Sequence, residues 1–146
     1  MTAQTIFTIG YEQATQPAVV SALRDAGVEV LADIRYLPLS RRPGFSKSSL
    51  RAAVEEAGIA YRHFRQLGTP AEGRAAARRG DHATLARVYA GQLELPEAQA
   101  QAAQMLDLAG EKPSALLCFE RDPCVCHRTL LLDAFGGDAE VVDLYA

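Results

Sequence analysis

Short apolar runs alternate along the chain with longer segments in which apolar residues recur every three or four positions. The short runs have the length and composition of strands, and the longer segments have the periodicity of amphipathic helices. The pattern predicts five strands, at 5–9, 29–35, 59–64, 114–119 and 140–145. It predicts helices that begin near Thr15, Ser46, Asp81 and Pro96 and after Cys126, with Gly110 ending the fourth. Residues 66–80 are predicted to form a loop with at most a short helix.

This alternation indicates the fold class. Nearly continuous apolar strands separated by amphipathic helices are typical of a parallel sheet that is covered on both faces. The connections between parallel strands should be right-handed crossovers. The sequence has no internal repeat, low-complexity tract or linker. We therefore expect one α/β domain over residues 1–146, with a mainly parallel sheet of about five strands and helices on both faces.

Composition narrows the class of protein. The chain has 146 residues, of which 49% are hydrophobic and 23% charged, and these values are typical of a globular domain with a substantial core. No signal peptide or membrane-spanning run is evident. The three cysteines lie between positions 118 and 126. This small, clustered number predicts reduced thiols in a cytoplasmic protein rather than a disulfide framework.

Charge is unevenly distributed along the chain. The net charge is −3, but residues 1–34 carry −3, residues 35–79 carry +7 and residues 80–146 carry −7. The basic central third suggests an anionic partner, although arginines on a solvated helix face would produce the same count.

The carboxyl ends of the predicted strands collect most of the unusual polar residues. Ligands of open parallel sheets bind beyond these ends. The candidate residues for anion or substrate binding are Tyr11, Asp33, Arg35, Ser40, Arg41, His63 and Arg128. The candidate catalytic residues are Glu120, Cys126 and His127.

Asp33 and Arg35 are two residues apart and therefore share one side of the sheet. Two interpretations are open: a purely structural ion pair, or a pair in which Arg35 also holds a phosphate or carboxylate. The loop that follows, residues 38–45, contains two prolines as well as Arg41 and Arg42. A stiff loop that presents guanidinium groups favours anion binding.

Cys126 is the best candidate nucleophile, because a helix N-terminus and the neighbouring His127 or Arg128 lower a thiol pKa. The angle of about 100° between adjacent helical side chains means that a bond from His127 to Cys126 cannot be assumed. Glu120 is predicted to be either a general acid or base, or an ion-pair partner of an arginine. Cys118 is expected to be a buried small hydrophobic residue.

A metal site built from the cysteines and His127 is the less favoured option, because their spacing is not that of common zinc sites. Phosphate-loop, dinucleotide-binding, nucleophile-elbow and zinc-protease motifs are absent from the sequence. We expect no metal and no cofactor.

Several short motifs resemble the domain of unknown function 488 family of small bacterial and archaeal proteins. They are Thr8-Ile-Gly-Tyr11, Asp33-Ile-Arg35 with Pro38-x-Ser40-Arg41 and Pro43-Gly-Phe45, Ile59-x-Tyr61-x-His63 with Leu67-Gly68, and Leu117-Cys-x-Glu120 with Cys126-His-Arg128. The resemblance implies a common ligand site without naming a substrate. A fainter similarity to rhodanese-type domains, which also place a cysteine between a strand and a helix, implies possible sulfur transfer at Cys126.

The leading hypothesis is an enzyme that acts on a phosphate-bearing small molecule or nucleotide. The alternatives are a nucleic-acid-binding module that uses residues 35–79, rhodanese-like sulfur transfer, and a scaffold whose polar residues only stabilise the fold. No membrane partner is expected. The sequence leaves the substrate, the reaction and the oligomeric state open.

Overall fold

The computed structural model of the protein describes residues 4–122, 127–137 and 139–146. The strands in this part of the chain are β1 (Thr5–Gly10), β2 (Val30–Asp33), β3 (Ala60–His63), β4 (Ser114–Cys118) and β5 (Glu140–Leu144). The helices are α1 (Gln16–Asp25), α2 (Lys47–Glu56), α3 (Ala71–Arg78), α4 (His82–Leu93), α5 (Pro96–Glu111) and α6 (His127–Phe135), with a short 3₁₀ helix at Arg65–Leu67. No helix in the described ranges is both long and apolar enough to cross a membrane.

The strands form one sheet in the order β3-β2-β4-β1-β5, and every neighbouring pair is parallel. Helices α1 and α2 pack on one face, where Val19 and Leu50 join a buried cluster with Leu117. Helices α4, α5 and α6 pack on the other face, where Tyr89 and Leu131 share a second buried cluster. The predicted α/β fold with a parallel sheet and helices on both faces is therefore confirmed.

The position of β4 decides where a crevice can form. It lies between β1 and β2, and Gly10 and Asp33 are in register with Cys118 and Leu117 respectively. The chain leaves β1 and β2 towards the face of α1 and α2, but it leaves β4 towards the face of α6. Connections that leave neighbouring strands for opposite faces open a crevice at the carboxyl edge of the sheet. The carboxyl ends of β1, β4 and β2 therefore flank the site that the fold offers.

Side-chain caps begin two helices where the sequence predicts them. Thr15 Oγ1 accepts a hydrogen bond from the Ala18 amide at 3.2 Å, and Asp81 Oδ1 accepts one from the Thr84 amide at 3.1 Å. Ser46 precedes α2 as predicted but makes no side-chain cap. Its hydroxyl instead bonds to the backbone of the preceding loop.

One predicted detail is wrong. Helix α5 does not end at Gly110 but continues to Glu111, and Lys112 is extended. Pro113 explains this end, because a proline disfavours the helical conformation of the residue before it.

Candidate functional site

At the end of β2, Asp33 and Arg35 form a closed ion pair. The Asp33 carboxylate is fully buried and accepts from Arg35 Nε at 2.8 Å and from Nη2 at 2.7 Å. The Tyr61 hydroxyl also donates to this carboxylate. Burial lowers the pKa of Arg35, but hydrogen bonds and charge attraction from Asp33 outweigh it and raise the pKa overall. Burial and the Asp33 charge together raise the pKa of Tyr61. Arg35 therefore remains charged and Tyr61 neutral.

The remaining edge of the Arg35 guanidinium holds the following loop in place. Arg35 Nη1 donates to the Phe45 carbonyl at 2.6 Å and lies 3.4 Å from the Tyr11 hydroxyl. The Tyr11 ring stacks on Phe45 with centroids 4.5 Å apart. His63 Nε2 lies 2.7 Å from the Arg35 carbonyl oxygen. With only 6% of its surface exposed, Arg35 is engaged mainly with the protein itself, as in the structural interpretation of the pair.

Hydrogen bonds hold Arg42 in the loop at 38–45, and only one of the two arginines of this loop is exposed. Arg42 Nη2 donates to the Ala14 carbonyl, and the Arg42 amide donates to Ser40 Oγ at 3.1 Å. Gly44 has a φ of 87°, a conformation that favours glycine. Arg41 projects into solvent. Within this loop, Arg41 is the cation available to a ligand.

At the end of β4, Glu120 lies beside Cys118 and Arg128. Glu120 Oε2 lies 3.6 Å from Cys118 Sγ, and Arg128 Nη2 donates to the Glu120 backbone carbonyl at 2.6 Å. Burial raises the pKa of Glu120, the Arg128 charge lowers it, and Glu12 raises it. Burial also lowers the pKa of Arg128. A desolvated carboxyl group beside a buried guanidinium is typical of reactive sites.

Gly10 allows the end of β1 to approach this segment. A Cβ atom at Gly10 would lie 1.8 Å from the Glu120 carbonyl oxygen. The Tyr11 and Glu12 amides donate to the carbonyls of Cys118 and Phe119 at 3.3 and 2.8 Å. A glycine is therefore required at this position.

His127 connects the two strand ends. Its Nε2 lies 2.8 Å from the Ile34 carbonyl oxygen, and its ring packs edge-on against Tyr89. Burial lowers the pKa of His127 to about 4. The imidazole is therefore neutral at pH 7 and donates from Nε2 to Ile34. This geometry gives His127 a positioning contact; its predicted catalytic role stays a prediction.

The cysteines differ from the expectation of three reduced thiols, because Cys118 is disulfide-bonded. The small number of cysteines therefore did not predict the redox state of Cys118. The predicted nucleophile Cys126 lies outside the described residues, as does Cys124. In the part of the chain that is described, no group of three or more His, Cys, Asp or Glu side chains could hold a metal ion.

The sequence interpretation missed two cations beside Tyr36, the residue that follows Arg35. Arg65 Cζ lies 4.3 Å from the centre of the Tyr36 ring, and Arg74 Cζ lies 5.7 Å from it. Arg74 Nη1 also donates to the Thr69 carbonyl at 3.0 Å. Arg74 lies in the segment 66–80, which was predicted to be a loop with at most a short helix, and Arg65 lies directly before that segment. Their inclusion in the basic stretch 35–79 was the available signal, but it could not show which arginines gather.

The structure thus brings the candidate residues into two groups rather than one. Tyr11, Asp33, Arg35 and His63 share one network at β2, and Glu120 and Arg128 lie together at β4. Ser40 and Arg41 occupy the loop above β2. Two further cavities lie elsewhere: about 320 Å³ between α4, α5 and α6, and about 500 Å³ at the amino ends of β1 and β4.

Comparison with known proteins agrees with the motifs. No curated protein and no solved structure matches the chain. One family model matches residues 15–135, which include every residue of both groups except Tyr11. The chain therefore belongs to the family described as Domain of unknown function DUF488.

Proposed function

We propose that the protein is an enzyme that binds a phosphate-bearing small molecule or nucleotide at the carboxyl edge of its sheet. The anion would be held by the exposed Arg41 and Arg65 together with the half-buried Arg74. Arg35 and His127 would keep the surrounding backbone in place. Glu120 and Cys126 would supply the acid and the nucleophile.

The observation that carries this proposal is the pair of arginines on Tyr36. Of the ion pairs among described residues, none includes Arg65 or Arg74. Stacking on a ring restrains a guanidinium while leaving its N–H groups in the plane free to bind an anion. Two such groups on one ring favour a ligand with at least two negative charges, such as a phosphate.

Apolar surface on the loops beyond the strands favours a ligand that also carries an apolar or aromatic part. Leu37 is 46% exposed, Leu39 71% and Phe119 42%. These residues follow β2 and β4, at the same edge as the cations. A nucleotide combines a phosphate with a flat ring and would suit this surface.

Glu120 supports a reaction as well as binding. Because burial raises its pKa, the carboxyl group holds its proton to a higher pH than an ordinary glutamate. A protonated acid at a crevice can donate to a leaving group. Cys126 keeps its proposed nucleophilic role from its place in the sequence, directly before α6.

The test is calorimetric titration with inorganic phosphate and with adenosine monophosphate. We expect each arginine removed from the Tyr36 pair to weaken binding about tenfold or more, since a hydrogen bond to a charged group contributes about 1.5–3 kcal/mol. The variants are Arg65→Ala and Arg74→Ala. Arg51→Ala is the matched control, because Arg51 is an exposed arginine already paired with Glu55 at 2.5 Å.

If the Arg65→Ala variant binds phosphate and adenosine monophosphate as tightly as the control does, the carboxyl edge of the sheet is not the anion site.

Phosphate release from a panel of phosphorylated small molecules, measured for the wild type and for Glu120→Gln, tests the enzymatic part of the proposal. If the protein binds these compounds but releases phosphate from none of them, the enzymatic part of the proposal is wrong and the protein is a binding protein.

The nucleic-acid alternative has less support from the geometry. Some basic residues of 35–79 are engaged with the protein itself, as Arg35 is with Asp33 and Arg42 is with the Ala14 carbonyl. Gel shift with DNA and RNA at two salt concentrations would reveal it through steep salt dependence. Sulfur transfer at Cys126, a cytoplasmic location and a bacterial or archaeal origin stay predictions.

A further inference from the structure

We propose that the first turn of α3 completes the anion site beside Tyr36, and that the ligand presents a terminal phosphate, as a phosphate monoester does. In this site the Thr69 hydroxyl and the first amides of α3 bind the phosphate together with Arg65 and Arg74. This proposal rests on the function proposed above, and it adds the class of phosphate and the remaining groups that bind it.

The segment between the 3₁₀ helix and α3 lies directly against Tyr36. A Cβ atom at Gly68 would lie 2.1 Å from the Tyr36 amide nitrogen, so the two backbones are in contact. The next carbonyl, that of Thr69, accepts a hydrogen bond from Arg74 Nη1 at 3.0 Å. The Arg74 guanidinium, which also lies near the Tyr36 ring, therefore connects the arginine pair to the segment that leads into α3.

Thr69 provides independent support for a ligand. The residue is only 4% exposed, and among the described residues its Oγ1 has no hydrogen-bond partner. Buried hydroxyl groups are nearly always hydrogen-bonded, because a desolvated polar group without a partner costs free energy. A bound phosphate oxygen would accept a hydrogen bond from this hydroxyl and remove that cost.

The Thr69 hydroxyl lies beside the first turn of α3. A Cβ atom at Gly73 would lie 2.3 Å from the Thr69 methyl carbon, and the hydroxyl is bonded to the same Cβ as that methyl group. Pro70 is the N-cap residue and makes no side-chain cap. The first amides of a helix have no partner within the helix, and such a helix start attracts anions. The buried hydroxyl and the start of α3 therefore offer donors at one place.

The charges of this site favour a phosphate monoester over a diester. Two guanidinium groups and the positive end of a helix suit a group with two negative charges. Near neutral pH a monoester carries about two negative charges, whereas a diester carries a single charge. Glu72, the acid of the first turn, is exposed, and exposed charges are screened by water and salt. A terminal phosphate therefore fits the site better than the phosphodiester backbone of a nucleic acid.

Calorimetric titration with adenosine monophosphate and with cyclic adenosine monophosphate tests the class of ligand. The two compounds share a base and a ribose but present a monoester and a diester. In the wild type we expect the monoester to bind about tenfold more tightly or better, and the Arg74→Ala variant should lose most of this preference. Equal affinities of the wild type for the two compounds would overturn the choice of a terminal phosphate.

Thr69→Val tests the hydroxyl while keeping the shape of the side chain. We expect inorganic phosphate and adenosine monophosphate to bind about tenfold more weakly to this variant. The free variant should be at least as stable in urea as the wild type, because the lost hydroxyl had no partner among the described residues. A merely structural hydroxyl would instead cost stability and leave the affinity unchanged. Thr69→Ser, which keeps the hydroxyl, should bind like the wild type.

Thr5→Val is the matched control, because Thr5 begins β1 at the opposite edge of the sheet. Its affinities for both compounds should equal those of the wild type. Glu72→Gln removes the acid of the first turn of α3 and should bind phosphate as tightly as the wild type or more tightly. Weaker binding by Glu72→Gln would contradict an anion at the start of α3.

Two outcomes separate this inference from the proposed function. If the wild type binds neither phosphate nor adenosine monophosphate, both are wrong. If Arg65→Ala weakens binding but Thr69→Val binds as tightly as the wild type, the anion site beside Tyr36 stands and the first turn of α3 is not part of it.

Discussion

The buried charged groups at the ends of two adjacent strands, β2 and β4, have different kinds of partners. At β2, the Asp33 carboxylate accepts hydrogen bonds from Nε and Nη2 of Arg35 and from the Tyr61 hydroxyl. At β4, the Glu120 carboxyl group meets a sulfur, and the Arg128 guanidinium donates to the backbone carbonyl of Glu120 rather than pairing bidentately with its side chain.

The difference separates a structural role from a chemical one. A carboxylate whose lone pairs are filled by donors is stabilised in its charged form and is a poor acid or base. A carboxyl group that is desolvated without such donors has a raised pKa and keeps its proton to a higher pH than an ordinary glutamate. We therefore expect stability to depend mainly on the β2 end, and reactivity on the β4 end.

The largest expected effect is a difference in the free energy of unfolding between two carboxyl-to-amide substitutions, one at the end of β2 and one at the end of β4. Asp33→Asn leaves the Arg35 guanidinium buried without its counter-charge and should lower the free energy of unfolding by about 3–5 kcal/mol. Glu120→Gln resembles the protonated acid that burial already favours, and should change the free energy of unfolding by less than about 1 kcal/mol. Urea denaturation at pH 7 measures both.

Equal losses in the two variants would contradict the division between a structural and a reactive end. A larger loss of stability in Glu120→Gln than in Asp33→Asn would place the structural role at the end of β4 instead. A double variant, Asp33→Leu with Arg35→Met, should recover much of the stability lost in Asp33→Asn, since apolar residues can replace a buried pair.

The next effect concerns His127, which joins the two ends. Its pKa is about 4 in the folded protein and about 6.5 when unfolded. The folded state therefore binds the proton more weakly, and its contribution to stability is complete above pH 6.5 and is lost as the pH falls towards 4. The loss over this window should be about 3 kcal/mol.

His127→Gln keeps an N–H donor for the Ile34 carbonyl but removes the titration. Urea denaturation at pH 7 and at pH 4 should show a smaller decrease for this variant than for the wild type. His82→Gln, which changes an exposed histidine at the start of α4, should leave the decrease unaltered. An unchanged decrease in His127→Gln would mean that this imidazole is not buried in its neutral form.

The smallest expected effect tests how strongly Tyr61 and Asp33 interact in the network at the end of β2. Tyr61→Phe removes one hydrogen bond to the Asp33 carboxylate and should cost about 1.5 kcal/mol. In the Asp33→Asn background the same change should cost less, because the acceptor has lost its charge. A double-mutant cycle by urea denaturation measures this coupling, and strict additivity would show that the two groups do not interact.

Part of this arrangement could be predicted from local pattern. Asp33 and Arg35 share a strand side because side chains alternate with a period of two, so their pairing was among the stated possibilities. The Thr15 cap needed only a hydroxyl before a helical repeat. The position of Arg65 and Arg74 over Tyr36 could not be predicted, because it depends on how the chain after β3 returns to the end of β2.

What the sequence by itself determined is the alternation of strands and helices, the parallel sheet and the collection of polar residues at its carboxyl edge. These follow from periodicity and from the fact that parallel strands all end on the same side. The tertiary structure alone decided which of these residues are partners. The insertion of β4 between β1 and β2 brings Gly10 against Glu120 and places the end of β4 beside the end of β2, and strand order is a long-range property that no local repeat encodes.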